Sequence, residues 1–271
     1  MGIKDLRVAI SAPVDDNLYS LLVSQLCVNE SGIKSVGVII LKVWSIKRII
    51  SEFKRLGITL IIKIWEKYFL RDTNKIYGEK RIIIESLINK VGLEAKSHKK
   101  LTNKYKIPFL KVNNPNDKDA LEFLRKQSPD IILSIGSHIL KKPFLEIPSI
   151  GVFNVHMGIL PEYRGIGVTE WPIIERRLKD VGLGITLHIM ERGVDTGPII
   201  IKRRIPVDSS DTINKLESKY LPEMVDLMIS GVRMAKDQDL QLTPQRIKDG
   251  RQYFSLHKRM KSLVNKRLGN I

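Results

Sequence analysis

Residues 6–41 read LRVAISAPVDDNLYSLLVSQLCVNESGIKSVGVIIL. Leu6 to Ser11 is a short run carrying β-branched Val8 and Ile10, followed by Ala12-Pro13 and a polar stretch. Leu18, Leu21, Leu22 and Leu26 then recur at helical spacing. Ile33 to Leu41 is a second, nearly continuous apolar run, as expected of a strand buried on both faces. A strand, a loop, a helix and a second strand in this order predict a doubly wound parallel sheet.

The rest of the chain extends that alternation. Ile46 to Leu56 returns to helical periodicity. Residues 58–71 place Leu60, Ile61, Ile64, Trp65, Tyr68 and Phe69 on one helical side and Lys63, Glu66, Lys67 and Arg71 on the other. Such an amphipathic helix fits packing on the sheet, and an interfacial membrane helix has the same pattern. Asp117 to Gln127 predicts a helix, Ile131 to Ile135 a strand stopping at Gly136, and Gly151 to His156 another strand. Pro161 to Gly167 reads as loop, Thr169 to Leu178 as helix, Gly184 to Met190 as strand, and Pro198 to Val207 as its hairpin partner. Asp211 to Lys236 is a long helix, followed by a basic tail. The expected division is a sheet domain over 1–207 and a helical, basic extension over 208–271.

Composition narrows the function classes. With 271 residues and 43% hydrophobic content the chain can bury a sizeable core, so it is not a disordered chain. Cys27 has no partner, which excludes an intrachain disulfide scaffold. Met1 to Leu6 carries no secretory pattern, and no apolar run approaches the roughly 20 residues of a membrane span. A cytoplasmic protein is expected. Lys and Arg exceed Asp and Glu by 17, an excess compatible with anionic partners. Residues 46–100 and 244–271 carry 15 of those 17 charges, so the excess lies away from the central strands.

Asn154 and His156 stand two apart near the carboxyl end of a strand, so their side chains share one face where α/β sheets bind ligands. Asp195 lies between Gly193 and Gly197 in a short loop. A carboxamide can donate to a developing oxyanion, an imidazole can move protons near neutrality, and a carboxylate can orient it. The set suits acyl transfer. On spacing alone a structural role for the histidine stays open.

The stretches Phe153-Asn154-Val155-His156-Met157-Gly158-Ile159-Leu160-Pro161-Glu162-Tyr163-Arg164-Gly165, Gly184 to Met190 and Gly193-Val194-Asp195-Thr196-Gly197-Pro198-Ile199-Ile200 resemble the formyltransferase family. That family uses 10-formyltetrahydrofolate and includes glycinamide ribonucleotide, methionyl-tRNA and sugar N-formyltransferases. The resemblance covers residues 6 to 207 and is most specific in 129 to 201. It implies a Rossmann-like α/β catalytic domain with Asn154 polarising the formyl carbonyl, His156 assisting in proton transfer, and Asp195 positioning His156 and a water. It implies direct attack by an amine, with neither a covalent enzyme intermediate nor a metal. It also implies that backbone around Ser137, Ile139 and Leu140, together with Glu191, Arg192 and Val194, holds the folate. His138 is then a bystander and His188 a structural support. Ser11 is a candidate for the acceptor side, and Tyr163 and Arg164 are expected to brace the loop after His156, with contact to an anionic acceptor as their second candidate role.

Departures from the family pattern bear on the acceptor. Members acting on glycinamide ribonucleotide carry a glycine-rich phosphate loop after the first strand, whereas Ser11-Ala12-Pro13-Val14-Asp15-Asp16-Asn17 has no glycine and two carboxylates. Methionyl-tRNA members continue into a β-barrel, and the 64 residues after Val207 are too few for one after the long helix. The expected acceptor is therefore a small primary amine such as an amino sugar or sugar nucleotide. A stand-alone methionyl-tRNA formyltransferase-like enzyme and a 10-formyltetrahydrofolate hydrolase are the alternatives, and a silent RNA- or membrane-binding relative is the non-enzyme one. In the tail, Tyr253-Phe254-Ser255-Leu256-His257 lies among basic residues and could bind RNA. The favoured expectation is that its apolar residues dock on the core and leave Lys258, Arg259, Lys261, Lys266 and Arg267 solvated.

Overall fold

The computed structural model describes residues 5–42, 79–136 and 138–269. The expected helices at 46–56 and 58–71 lie outside the described residues, as does Ser137.

Seven strands form the main sheet: β1 (Leu6–Ala12), β2 (Ile33–Leu41), β3 (Phe109–Val112), β4 (Ile131–Ser134), β5 (Gly151–His156), β7 (Leu183–Ile189) and β8 (Ile199–Ile205). A three-residue strand, β6 (Tyr163–Gly165), lies outside it. The order is β3-β2-β1-β4-β5-β7-β8. The first five strands run parallel; β5–β7 and β7–β8 are antiparallel. This is the expected mostly parallel doubly wound sheet, with an antiparallel edge at the hairpin.

The helices are α1 (Leu18–Asn29), α2 (Glu79–Val91), α3 (His98–Lys104), α4 (Lys118–Gln127), α5 (Lys142–Leu145), α6 (Glu170–Ile174), α7 (Ile213–Lys236) and α8 (Lys258–Leu268). Asn17 caps α1 by accepting from the Ser20 amide at 2.9 Å, which explains why the helix begins directly after the polar loop. The helix expected over 169–178 ends at Ile174, because Arg176 takes a left-handed φ of 59° and breaks the ladder.

Both faces of the sheet are covered. One cluster joins Val8, Ile10, Phe153, Val155, Ile185 and Leu187 to Leu216, Met228 and Val232 of α7. The other joins Ala9, Ile39, Ile132 and Val152 to Leu124 and Phe144. Gly231 lets α7 lie against Leu187 and Phe153, since a Cβ there would collide with the Leu187 side chain.

Residues 237–257 form a strap across the carboxyl end of the sheet. Thr243 bridges Ile199 through two 2.8 Å backbone hydrogen bonds. A strand β9 (Arg251–Tyr253) pairs in parallel with β6. The expected loop at 161–167 is therefore partly strand, and its partner lies 88 residues away, which no local pattern signals. Tyr163 and Tyr253 stack with centroids 4.9 Å apart. Leu256 at the end of the strap, and Val264 and Leu268 beyond it, are buried in the same cluster as the sheet, each worth about 1.5–3 kcal/mol of burial. The apolar residues of the tail thus dock, although Phe254 stays 68% exposed. Lys266 is exposed, Arg267 is half-buried and donates to the Ile174 carbonyl, and the side chains of Lys258, Arg259 and Lys261 lie outside those described.

Candidate active site

β5 alternates its side chains across the sheet. Phe153 and Val155 enter one core cluster, while Asn154 and His156 face the other side near the strand's carboxyl end. The β5–β7 register sets Asn154 opposite His188 and His156 opposite Thr186. Residues directly opposite in an antiparallel pair project on the same face, so the hairpin brings His188 to Asn154. Nδ2 of Asn154 lies 3.2 Å from Nε2 of His188, and Nδ1 of His188 lies 3.1 Å from the Ile189 carbonyl. A carbonyl only accepts, so Nδ1 carries the hydrogen and Nε2 accepts from the carboxamide. This pins the amide so that its second N–H is left for another acceptor.

The loop after β7 returns Asp195 to the same strand end. Asp195 adopts a left-handed φ of 53°, an uncommon state for a residue with a Cβ. Gly197 beside it passes against the Ile189 carbonyl, where any Cβ would collide. Oδ2 of Asp195 accepts from the Gly165 amide at 2.8 Å and lies 3.4 Å from Nδ1 of His156. Its Oδ1 lies 3.6 Å from Nε2 of His188. One carboxylate thus faces both imidazoles.

His156 is buried, with Nε2 donating to the Tyr163 carbonyl at 2.7 Å. That leaves Nδ1 as the free base of the neutral ring, directed at Asp195. Burial lowers the His156 pKa below the ordinary histidine value, against the opposing pull of Asp195 and the Tyr163 carbonyl. Burial works to raise the Asp195 carboxyl, but the two facing imidazoles in their charged forms, His188 and His156, together with the Gly165 amide outweigh it and hold the group below the ordinary aspartate range. The resting pair is therefore neutral imidazole beside carboxylate, and a proton arriving at Nδ1 is stabilised by the neighbouring charge.

The structure brings Asn154, His156 and Asp195 together. Among the expected folate contacts, Ile139 is 81% and Val194 is 41% exposed, two large apolar side chains in loops at the carboxyl end of the sheet. Glu191 and Arg192 are exposed beside them. The Leu140 side chain is instead buried with Phe144 and Val152. Tyr163 and Arg164 are buried and spent within the protein, as bracing residues are, and neither is free to contact an acceptor. The Tyr163 hydroxyl donates to Glu175 at 2.7 Å. Arg164 donates to the Ile247 and Arg246 carbonyls at 3.0 Å each. Ser11, at the end of β1, accepts the Ile135 amide through its carbonyl. His138 is half-buried. Sequence reasoning did not find Gly165 as a donor to Asp195, nor Glu175, whose carboxylate takes the hydroxyls of Tyr163 and Tyr253.

Formyl transferase is the family whose model matches residues 73–232, more than half of the chain. The chain belongs to that family. Over 151 residues it is 34% identical to the methionyl-tRNA formyltransferase of Thermotoga sp. (strain RQ2), covering 54% of this chain and 46% of that protein. The chain therefore spans about half the length of the curated relatives it matches. Among solved structures, a 4-N formyltransferase from Francisella tularensis aligns with a TM-score of 0.56 at 13% identity, covering 97% of this chain and 87% of that one. A phosphoribosylglycinamide formyltransferase from Anaplasma phagocytophilum aligns at 0.55 and 20% identity, covering 87% of this chain and 89% of that one. At such identities these structures establish the shared fold.

Proposed function

We propose that the protein transfers a formyl group from 10-formyltetrahydrofolate to the primary amine of a small acceptor, an amino sugar or sugar nucleotide. The observation that carries this reading is the convergence of the Asn154 carboxamide, the buried His156 imidazole and the Asp195 carboxylate at one strand end. The solved relative WlaRD, a sugar 3N-formyl transferase, was crystallised with dTDP and 5-N-formyl-tetrahydrofolate. Exposed Ile139 and Val194 fit such a donor, since a flat aromatic ligand would cover apolar surface that water now meets.

The donor supplies an activated formyl carbonyl. Asn154 offers its second Nδ2–H to the oxygen on which negative charge develops, while His188 holds the first. The amine nitrogen bonds to the formyl carbon, the bond to the folate nitrogen breaks, and one proton passes from the amine to that nitrogen. His156 holds that proton in transit at Nδ1, beside Asp195.

Acceptor choice rests on the loop after β1. Asp15 already binds the Lys99 amide at 2.9 Å and Lys111 at 3.3 Å, which holds a carboxylate where a phosphate loop would need amides. The 34% identity to a methionyl-tRNA formyltransferase favours a second reading, transfer to aminoacyl-tRNA. No helix among the described residues is long and apolar enough to cross a membrane, and the proposed setting is the cytoplasm.

The test supplies 10-formyltetrahydrofolate with a panel of amino-sugar nucleotides and follows tetrahydrofolate release. Release that depends on an amino sugar and is lost in Asn154→Ala supports the proposal. Release without any acceptor makes the protein a hydrolase, and formylation of methionyl-tRNA alone selects the second reading.

A further inference from the structure

The strap sends the Gln245 side chain to the loop that carries Asp195. Nε2 of Gln245 donates to the Asp195 carbonyl at 3.1 Å and to the Gly197 carbonyl. The amide cannot turn over, because its Oε1 would then face two carbonyl oxygens. Oε1 is buried and has no hydrogen-bond partner among the described residues. A buried, half-satisfied carboxamide costs stability, so it calls for a compensating role.

The two carbonyls it holds flank the turn in which Asp195 has its left-handed φ. The neighbours of Gln245 anchor it. Thr243 is bridged to Ile199 on one side, and Arg164 clamps the Arg246 and Ile247 carbonyls on the other. The strap also grips the opposite wall of the site, because β9 pairs with β6, whose Gly165 amide binds Oδ2 of Asp195. The backbone of Asp195 is thus held through Gln245, and its carboxylate through Gly165.

We infer that Gln245 is a positioning residue: it fixes the Asp195 turn and so sets the carboxylate against His156. The strap is then a working part of the site. This rests on the formyl-transfer reading for its kinetic consequence, but the placement of Asp195 can be read without activity.

Gln245→Met keeps the length and removes both donors. With the full chain, kcat is expected to fall about 10- to 100-fold, as misplacing a catalytic group does, while KM for the formyl donor stays within about twofold. In parallel, the imidazole of His156 is titrated by NMR, its signal assigned by its loss in His156→Gln. Displacing the carboxylate that favours the charged ring lowers the His156 midpoint in Gln245→Met. An unchanged midpoint, or unchanged kcat, overturns the inference. If wild type formylates no acceptor, the functional reading fails and the midpoint alone decides on Gln245. Should Gln245→Met not fold, Gln245→Glu replaces it. A carboxyl donates to a carbonyl only while protonated, so kcat relative to wild type, or the His156 shift where no acceptor is known, departs from wild type as that carboxyl ionises. A constant ratio overturns the inference.

Discussion

The Asn154 carboxamide and the His188 imidazole are cross-strand partners, 3.2 Å apart, on the two strands that turn the parallel sheet into its antiparallel edge. The contact orients the amide, because Nε2 of His188 is the accepting nitrogen. Replacing His188 with Leu leaves Asn154 free to rotate, and kcat is expected to fall about tenfold with KM for the donor little changed. Asn154→Ala removes the donor itself and is expected to cost about 10²–10³ in kcat. Steady-state kinetics on both variants checks the order, and equal losses would refute an orienting role for His188.

Below neutrality the fold is expected to weaken through His98. This histidine is fully buried against Ser20 at 2.7 Å, and burial pushes its pKa down to about 4, partly opposed by the charge of Asp15. The unfolded chain, with an ordinary midpoint near 6.5, binds the proton first, so stability is lost as pH falls from about 6.5 to 4. The loss is on the order of 3 kcal/mol. Melting curves of His98→Gln across this window should show a shallower slope than wild type.

Arg164 latches the strap rather than a ligand. Arg164→Met leaves the Arg246 and Ile247 carbonyls unpaired, at a cost of about 1.5–3 kcal/mol for the charged hydrogen bonds. Trypsin should then cut faster near Arg251, which is exposed, while the central sheet persists. Cleavage at the wild-type rate would count against the clamp.

Leu268 is fully buried in the main cluster, two residues beyond exposed Lys266. Leu268→Ala is expected to destabilise the whole fold by about 2–5 kcal/mol in urea, as core truncations do. A loss under about 0.5 kcal/mol, the usual range for surface positions, would show the terminal helix to be a loose appendage.

The parallel sheet and the site were legible for different reasons. Val8, Ile10 and the Ile33–Leu41 run are strands buried on both faces, so hydrophobicity alone marks them. Phe109–Val112 escapes because it is a four-residue edge strand, mostly half-exposed, with no apolar run to mark it. Asn154 and His156 were readable as a pair through the period of two along a strand. For Tyr163 and Arg164 the sequence offered both bracing and an acceptor contact, because polar residues in a site motif look available until their partners, Glu175 and the Arg246–Ile247 carbonyls, are located.

Local sequence thus determined the alternation of strands and helices, the strand end where chemistry gathers, and the three residue types that meet there. The loop glycines allowed Asp195 to approach, yet its distance to His156 follows from a hairpin register and from a strap that returns about 50 residues later. Contacts of that separation leave no periodicity in the chain. That Tyr253, Val264 and Leu268 of the basic tail are buried, and that Gln245 donates to the Asp195 and Gly197 carbonyls, depends on distant partners, which exist only once the sheet has formed.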